Sequence, residues 1–186
     1  VSNEMSNGHD FPKKFGGFTT VFKQNGDREI VETTSLELIT LCEASHVDSV
    51  RFFEETVQQC EKVIQSVSIP YRVVNHCSGD LGLAPAKKVS IALWDKETHE
   101  YIPCAQAAYY HDFQSRRLGL RYEGAQGSAR FVHTLHLTVS LSQELLKKIV
   151  AYNQKDDGQF VLSDSVPGHK ELAEEKVEKN IKHTTL

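Results

Sequence analysis

The pattern that most constrains the fold is an amphipathic repeat between residues 46 and 68. Apolar residues recur there at steps of three and four, which is the spacing of one face of an α-helix. We expect Asp48 or Ser49 to cap this helix. β-branched, partly alternating segments at 29–42 (EIVETTSLELITLC) and 69–77 (IPYRVVNHC) flank it and predict strands. The apolar face of the helix consists of Val50, Phe53, Val57, Cys60, Ile64 and Val67.

The later segments continue the alternation of strand and helix signals. Strands are predicted at 88–95, in the segment after the KETH turn, and along ARFVHTLHLTV. Residues 112–119 (DFQSRRLG) predict a helical turn that ends at Gly119. A last helix is expected near Ser140, because Ser140 and Gln143 have the spacing of a capping box. The plan is an α+β fold, with antiparallel strands and helices packed on one face.

The length of 186 residues fits one domain with irregular ends. Residues 1–28 are rich in Gly, Lys and Asn and predict a poorly defined segment, either mobile or the remnant of a hairpin. Residues 29–168 carry the domain. Residues 169–186 are a polar tail, and they have no apolar face that would dock a helix.

Composition limits the partners. The formal net charge is −4, so no overall positive field attracts nucleic acid, although Arg116, Arg117, Arg121 and Arg130 form a local candidate patch. No apolar run approaches the roughly 20 residues of a membrane span, and no membrane contact is expected. Cysteines at wide, irregular spacing among apolar neighbours favour free buried thiols in a reducing compartment. They are Cys42, Cys60, Cys77 and Cys104.

Three short patterns suggest chemistry but have simpler explanations. His133 and His136 lie three apart on a predicted strand and point to opposite faces, which disfavours a shared metal ion. Nothing local lowers the pKa of a cysteine enough to mark it as a nucleophile. The segment SGDLG lacks the Lys-Ser/Thr of a phosphate loop and is typical of a turn.

Several blocks read together resemble one family. In order, they are IPYRVV, CSGDLG, AKK, LW, DFQSRR, HTL, and Tyr-Asn-Gln followed by Asp-Gly. Their order and spacing resemble the catalytic domain of seryl-tRNA synthetases, a class II aminoacyl-tRNA synthetase family, over roughly residues 29–168. The resemblance implies an antiparallel sheet flanked by helices.

The resemblance also marks departures at the positions that would hold ATP. Where the family has HTLNGSGLAVGR, its asparagine falls on His136, and its Gly-Arg pair falls on Gln143 and Glu144. In the family that arginine contacts the ATP phosphates. Reversing the charge beside a triphosphate replaces an attraction of up to ~4 kcal/mol, at ~4 Å and an effective dielectric constant of ~20, by a similar repulsion. A carboxylate is instead suited to a helix N-terminus without a nucleotide.

The family's metal-binding positions differ in the same way. The glutamate that helps the family to hold metal and ATP falls on Pro103, and the acidic pair of its YDLEVW block becomes Ser90 and Ala92. Magnesium requires several oxygen ligands, which this lining does not provide. Two positions on the amino-acid side fit better. Glu37 falls on the substrate-contacting glutamate of the family's second signature motif, and Thr138 keeps a hydroxyl at the serine position.

From these departures we predict a catalytically inactive paralogue of seryl-tRNA synthetase that is not an enzyme and needs no cofactor. The resemblance further implies a heterodimer with an active seryl-tRNA synthetase in mitochondrial translation, in the mitochondrial matrix, with tRNA as a further partner. The alternative is a divergent ATP-dependent seryl-tRNA ligase with residual activity. A measurement of ATP binding distinguishes the inactive paralogue from the divergent ligase.

Overall fold

A computed structural model describes residues 5–7, 10–25, 29–124, 127–141 and 143–155. The predicted tail at 169–186 lies outside these ranges. The helices are α1 (His46–Ser66), α2 (Phe113–Leu118) and α3 (Gln143–Asn153), and Ser78–Asp80 forms a 3₁₀ turn. The strands are β1 (Met5–Asn7), β2 (Lys13–Asn25), β3 (Glu29–Cys42), β4 (Tyr71–Asn75), β5 (Lys87–Asp95), β6 (Glu100–Tyr109), β7 (Arg121–Glu123), β8 (Ala129–Phe131) and β9 (His133–Leu141).

Six strands form the main sheet in the order β2-β3-β9-β6-β5-β4, and each neighbouring pair is antiparallel. Helix α1 packs against β6 and β9, and α3 packs against β9. The predicted α+β fold, with an antiparallel sheet flanked by helices, is confirmed. A second sheet has the order β1-β7-β8.

Helix α1 forms where the apolar spacing predicted it. Phe53, Val57, Cys60 and Ile64 are buried and face the sheet. The cap was predicted wrongly, because the Ser45 side chain accepts a hydrogen bond from the Asp48 backbone N–H, and the helix therefore starts earlier. Ser49 is fully buried inside the first turn, where its hydroxyl donates to the Ser45 carbonyl.

Three further boundaries differ from the expectations. Strand β2 pairs with β3 along its whole length, from Lys13 opposite Leu41 to Asn25 opposite Glu29, within the segment predicted to be mobile or a hairpin remnant. Cross-strand pairing supplies the order that the Gly- and Lys-rich sequence does not signal. The strand predicted along ARFVHTLHLTV is divided at Val132 into β8 and β9. Ser140 lies in β9, and α3 begins three residues later.

The small sheet and α2 pack against one end of the main sheet. Leu41, Leu120, Tyr122 and Val132 form their buried core. The Ser115 hydroxyl donates to the Val132 carbonyl over 2.6 Å, and the Thr134 hydroxyl donates to Gln114 Oε1 over 2.7 Å. Gly119 ends α2 with φ 65°, which glycine adopts without strain.

The four cysteines are free thiols. Cys42, Cys60 and Cys104 are buried as predicted, whereas Cys77 is exposed, because it lies beyond the end of β4. Burial raises the pKa of Cys60 to about 11 and that of Cys104 to about 12, so both thiols stay protonated. In the described part of the chain, no helix is long and apolar enough to cross a membrane.

Candidate functional site

A row of polar side chains crosses the face of the main sheet that lies opposite α1. The register aligns Glu37 with Thr138, Thr138 with Gln106, and Gln106 with Ser90. Residues paired in an antiparallel register share a face, so all four belong to this surface, which we call the open face. The alternate residues Leu38, Leu137 and Ala107 belong to the core under the helices. The order of the strands therefore gathers residues that are far apart in the sequence.

Glu37 is held by two donors from β9. The Thr138 hydroxyl donates to Glu37 Oε2 over 2.7 Å, and His136 Nε2 lies 2.5 Å from the same oxygen. The Glu37 side chain is 23% exposed and that of His136 is 32% exposed, so the pair is partly buried and still accessible to a ligand from solvent. Within the described residues, no hydrogen bond ends on Glu37 Oε1.

Tyr110 lies close to this carboxylate, and sequence reasoning missed it. Burial, followed by the charge of Glu37, raises the pKa of the Tyr110 phenol. The phenol therefore stays protonated and can donate a hydrogen bond. Tyr110 comes directly after β6, and the pairing of β6 with β9 and of β9 with β3 brings it near Glu37.

A second polar network lies at the other end of the row. His76 Nε2 is 2.7 Å from the Ser90 hydroxyl, and His76 Nδ1 contacts Asp80 Oδ2. Lys88 Nζ lies 3.7 Å from Asp80 Oδ2 and also contacts the Asp80 carbonyl. The bond to His76, followed by the charge of Lys88, lowers the pKa of the Asp80 carboxyl. Asp80 is therefore ionised at neutral pH.

Ala92 and Pro103, which the resemblance aligned with two metal-binding positions, are cross-strand neighbours. The register of β5 and β6 shifts between Ile91 and Ala92, which is the signature of a β-bulge. Neither side chain has an oxygen, and Ser90, the third such position, is bonded to His76. The donor set does not fit a magnesium ion, which needs several oxygen ligands. The described residues contain no group of three or more His, Cys, Asp or Glu side chains that could hold a metal ion.

The positions assigned to the ATP phosphates lie at the start of α3. Gln143 is its first residue and Glu144 its second, so both belong to the turn where backbone N–H groups lack helical partners. The side chains of these two residues are outside the described part of the structure. His136, which replaces the family's asparagine, is bonded to Glu37.

His133 and His136 point to opposite faces of β9, as the strand period predicts. His133 Nδ1 lies 2.8 Å from the Ser49 hydroxyl and 2.9 Å from the Tyr109 hydroxyl. The ring of His111 lies 5.3 Å from the His133 ring. Burial, followed by the charge of His111, lowers the pKa of His133, whereas Asp112 opposes the shift.

We expect this depressed pKa to make the protein less stable in mild acid. The ordinary pKa of histidine is about 6.5. As the pH falls through that value, the unfolded chain binds a proton more readily than folded His133 does, so the free energy of unfolding falls. Above pH 6.5 the group is neutral in both states and imposes no penalty. Urea unfolding at pH 7.5 and pH 5.5 measures the change.

The His133→Gln variant is the control, because glutamine keeps a hydrogen-bonding side chain that does not titrate. Its loss of stability between the two pH values should be smaller than that of the wild type. Other groups that face His133 are His46, His111 and Asp112, and they are unchanged in the variant. An identical loss in both proteins would contradict the assignment to His133.

A cleft of about 220 Å³ lies away from the open-face row, between the β5–β6 turn and α3. Asp95 is buried in its wall, where it accepts hydrogen bonds from Lys148, Thr98 and the Glu97 backbone. The bond from Lys148, followed by that from Thr98, lowers the pKa of Asp95 to about 2. The ion pair between Asp95 and Lys148 joins α3 to the β5–β6 turn. We therefore assign it a structural role.

Comparisons with known proteins show the family. Residues 1–151 match the family "tRNA synthetase class II core domain (G, H, P, S and T)". A serine–tRNA ligase from Deinococcus radiodurans is 28% identical over 84% of this chain and 39% of its own length. One from Thermoplasma acidophilum is 31% identical over 84% of this chain and 37% of its own length. The chain thus spans about two fifths of the length of these relatives.

Solved structures give the same assignment. Seryl-tRNA synthetase from Pyrococcus horikoshii, solved in complex with ATP, has a TM-score of 0.79 and 26% identity, over 91% of this chain and 40% of that one. Cytoplasmic serine–tRNA ligase from Naegleria fowleri, solved in complex with AMP, has a TM-score of 0.75 and 27% identity, over 88% and 40%.

These comparisons contradict the prediction that the chain is not an enzyme. The matched relatives and solved neighbours are seryl-tRNA ligases. The prediction relied on substitutions at Pro103, Ala92 and Glu144. It gave too little weight to the polar row that the sheet assembles from Glu37, Thr138 and Gln106.

Proposed function

The chain belongs to the class II tRNA synthetase core domain family, and from this premise we propose that it forms the amino-acid side of a serine-activating site in a seryl-tRNA ligase. The whole reaction is the ATP-dependent joining of serine to tRNA. The proposal is for a divergent ligase, because the positions around the phosphates and the metal differ from the family pattern.

The observation that carries the proposal is the tethered carboxylate of Glu37. Two β9 side chains fix its Oε2 oxygen, and Oε1 remains as an acceptor toward the open face. An ionised carboxylate only accepts hydrogen bonds, so it suits the ammonium or the hydroxyl group of serine. A ligand on β9 and β6 would also meet Gln106, which is exposed and opposite Thr138.

The direct test is serine-dependent exchange of labelled pyrophosphate into ATP by the whole chain. We expect exchange with serine to exceed that with alanine, because alanine lacks the hydroxyl group that Glu37 or Thr138 would bind. No serine-dependent exchange at saturating ATP would refute the ligase proposal. Equal exchange with serine and alanine would refute the assignment of Glu37 and Thr138 as the groups that bind the serine hydroxyl.

We also propose that the chain pairs with an active seryl-tRNA synthetase. Phe18, Phe22 and Ile30 are 74%, 67% and 69% exposed on the β2–β3 hairpin, and β2 is an edge strand. The register places the three side chains on one face. Exposed apolar patches of this kind favour protein interfaces. Size-exclusion chromatography of the mixed proteins tests the pairing, with a Phe18→Ser, Phe22→Ser variant expected to elute separately from the partner.

Transfer RNA is the second proposed partner, at the arginine patch. The guanidinium groups of Arg116 and Arg121 both lie 4.8 Å from the centre of the Phe131 ring, an arrangement that suits phosphate binding and base stacking. Arg130 pairs in register with Tyr122 and lies on the other face of the small sheet. RNA binding at two salt concentrations tests the patch, since neutralised phosphates make affinity fall as salt rises.

For location we propose the mitochondrial matrix and a role in mitochondrial translation. Support comes only from the resemblance to a mitochondrial branch of the family. Fractionation of cells that express the full-length protein decides between the matrix and the cytosol.

A further inference from the structure

The Ser90 network has the connectivity of an activated nucleophile. His76 links the Ser90 hydroxyl, 2.7 Å from Nε2, to the Asp80 carboxylate at Nδ1. We propose that Ser90 is a nucleophile that attacks activated acyl esters on the open face, with His76 as its general base and Asp80 as the residue that positions His76. None of these roles is needed for the activation of serine by ATP.

The two contacts of His76 admit the tautomer that this role requires. Ionised Asp80 only accepts hydrogen bonds, so Nδ1 of neutral His76 carries the proton. In that tautomer Nε2 is the basic nitrogen, and it can accept a hydrogen bond from the Ser90 hydroxyl. The His76 backbone N–H donates to the Lys88 carbonyl over 3.0 Å, which fixes the histidine beside β5. This is the nucleophile, base and orienting group expected of a serine hydrolase.

The surroundings of Ser90 also provide a donor for the developing oxyanion. Gln106 is the cross-strand partner of Ser90 on the same face, and its side chain is exposed. Its amide NH₂ group can donate to an oxygen above the sheet. Ala92 and Ala108 lie two residues along each strand, on the same face, so short side chains flank the two polar groups. Ser90 is 6% exposed and Ala92 and Ala108 are each 3% exposed, so an acyl group would have to reach Ser90 past the exposed Gln106 side chain.

The substrate class rests on the proposed function, whereas the nucleophile does not. Strands in a sheet are about 4.8 Å apart, so Ser90 lies about 10 Å from Thr138, with Gln106 between them. A serine bound at Glu37 and Thr138 would place its carbonyl no further than Gln106, so an aminoacyl group has to shift by about one strand spacing to meet Ser90. The acyl group expected here is therefore an aminoacyl ester or aminoacyl phosphate.

The reaction is a hydrolysis in two steps. Ser90 Oγ bonds to the acyl carbon while the bond from that carbon to the leaving oxygen breaks, and the hydroxyl proton passes through His76 Nε2 to the leaving oxygen. Water then attacks the Ser90 ester and passes a proton through His76 back to Oγ. The products are the free acid and the leaving alcohol or phosphate.

Labelling of the whole chain by a fluorophosphonate probe tests the nucleophile without ATP, serine or tRNA. We expect one adduct on Ser90, located by mass spectrometry. Labelling should be absent in Ser90→Ala and at least about 100-fold slower in His76→Gln, since general-base assistance contributes roughly 10²–10⁴. Ser66→Ala is the matched control, because the Ser66 hydroxyl donates to the Val63 carbonyl in the last turn of α1.

The Asp80→Asn variant tests the positioning role. It should slow labelling and change the pH at which the labelling rate is half-maximal, which a purely structural change would not do. Wild-type protein that is folded by circular dichroism but unlabelled at Ser90 would overturn the proposal. Equal labelling rates in the wild type and His76→Gln would overturn the role of the base. A failure of pyrophosphate exchange leaves both outcomes unaffected, so the two proposals are refuted separately.

Discussion

Glu37→Gln is expected to weaken serine binding by the whole chain about 10- to 100-fold. Hydrogen bonds to charged groups contribute about 1.5–3 kcal/mol, and the amide keeps the shape of the side chain while removing its charge. The amide also places a donor where His136 and Thr138 now find only an acceptor. Calorimetric titration with serine measures the change.

Glu32→Gln is the matched control for this variant. Glu32 lies on the same strand and is exposed. It is five residues from Glu37, an odd number, so its side chain points to the opposite face of the sheet, away from the row. Serine affinity should be unchanged there. Equal affinity of Glu37→Gln and wild type would remove Glu37 from the binding site.

The second large effect is on stability. Phe53→Ala is expected to lower the free energy of unfolding by about 3–5 kcal/mol, because Phe53 is 1% exposed and its removal leaves a cavity between α1 and the sheet. Urea unfolding followed by circular dichroism measures this loss. Val47→Ala, on the same helix but 78% exposed, should change stability by less than about 0.5 kcal/mol. Similar losses in both variants would contradict the packing of α1.

Elements with a strong local pattern were predictable from the sequence. The three- and four-residue spacing located α1, and β-branched alternation located β3 with its bounds unchanged. Strand β2 was not located, because glycines and lysines surround its short β-rich stretch at residues 18–22 (FTTVF), and its full length is defined by thirteen paired residues of β3. The cap of α1 was misplaced, because Ser45, Asp48 and Ser49 are all good capping residues, and only the geometry distinguishes them.

The site was predictable only in part, for a similar reason. The resemblance assigned Glu37 and Thr138 to the serine side and His136 to the ATP side, and the structure brings the three side chains into contact. The bond from His76 to Ser90 joins residues that are fourteen apart, and it depends on where β4 ends relative to β5. The position of Tyr110 beside Glu37 likewise depends on the pairing of β6 with β9. The periodicity of the sequence predicts strands and helices, and it does not predict which residues of different strands lie side by side.

Titration of the whole chain with a non-hydrolysable seryl-adenylate analogue tests the central claim most directly, namely that the open face binds activated serine. We expect saturable binding of one analogue per chain, with the alanyl analogue weaker because it offers no hydroxyl group to Glu37 or Thr138. The absence of binding, or equal affinity for the seryl and alanyl analogues, would contradict it.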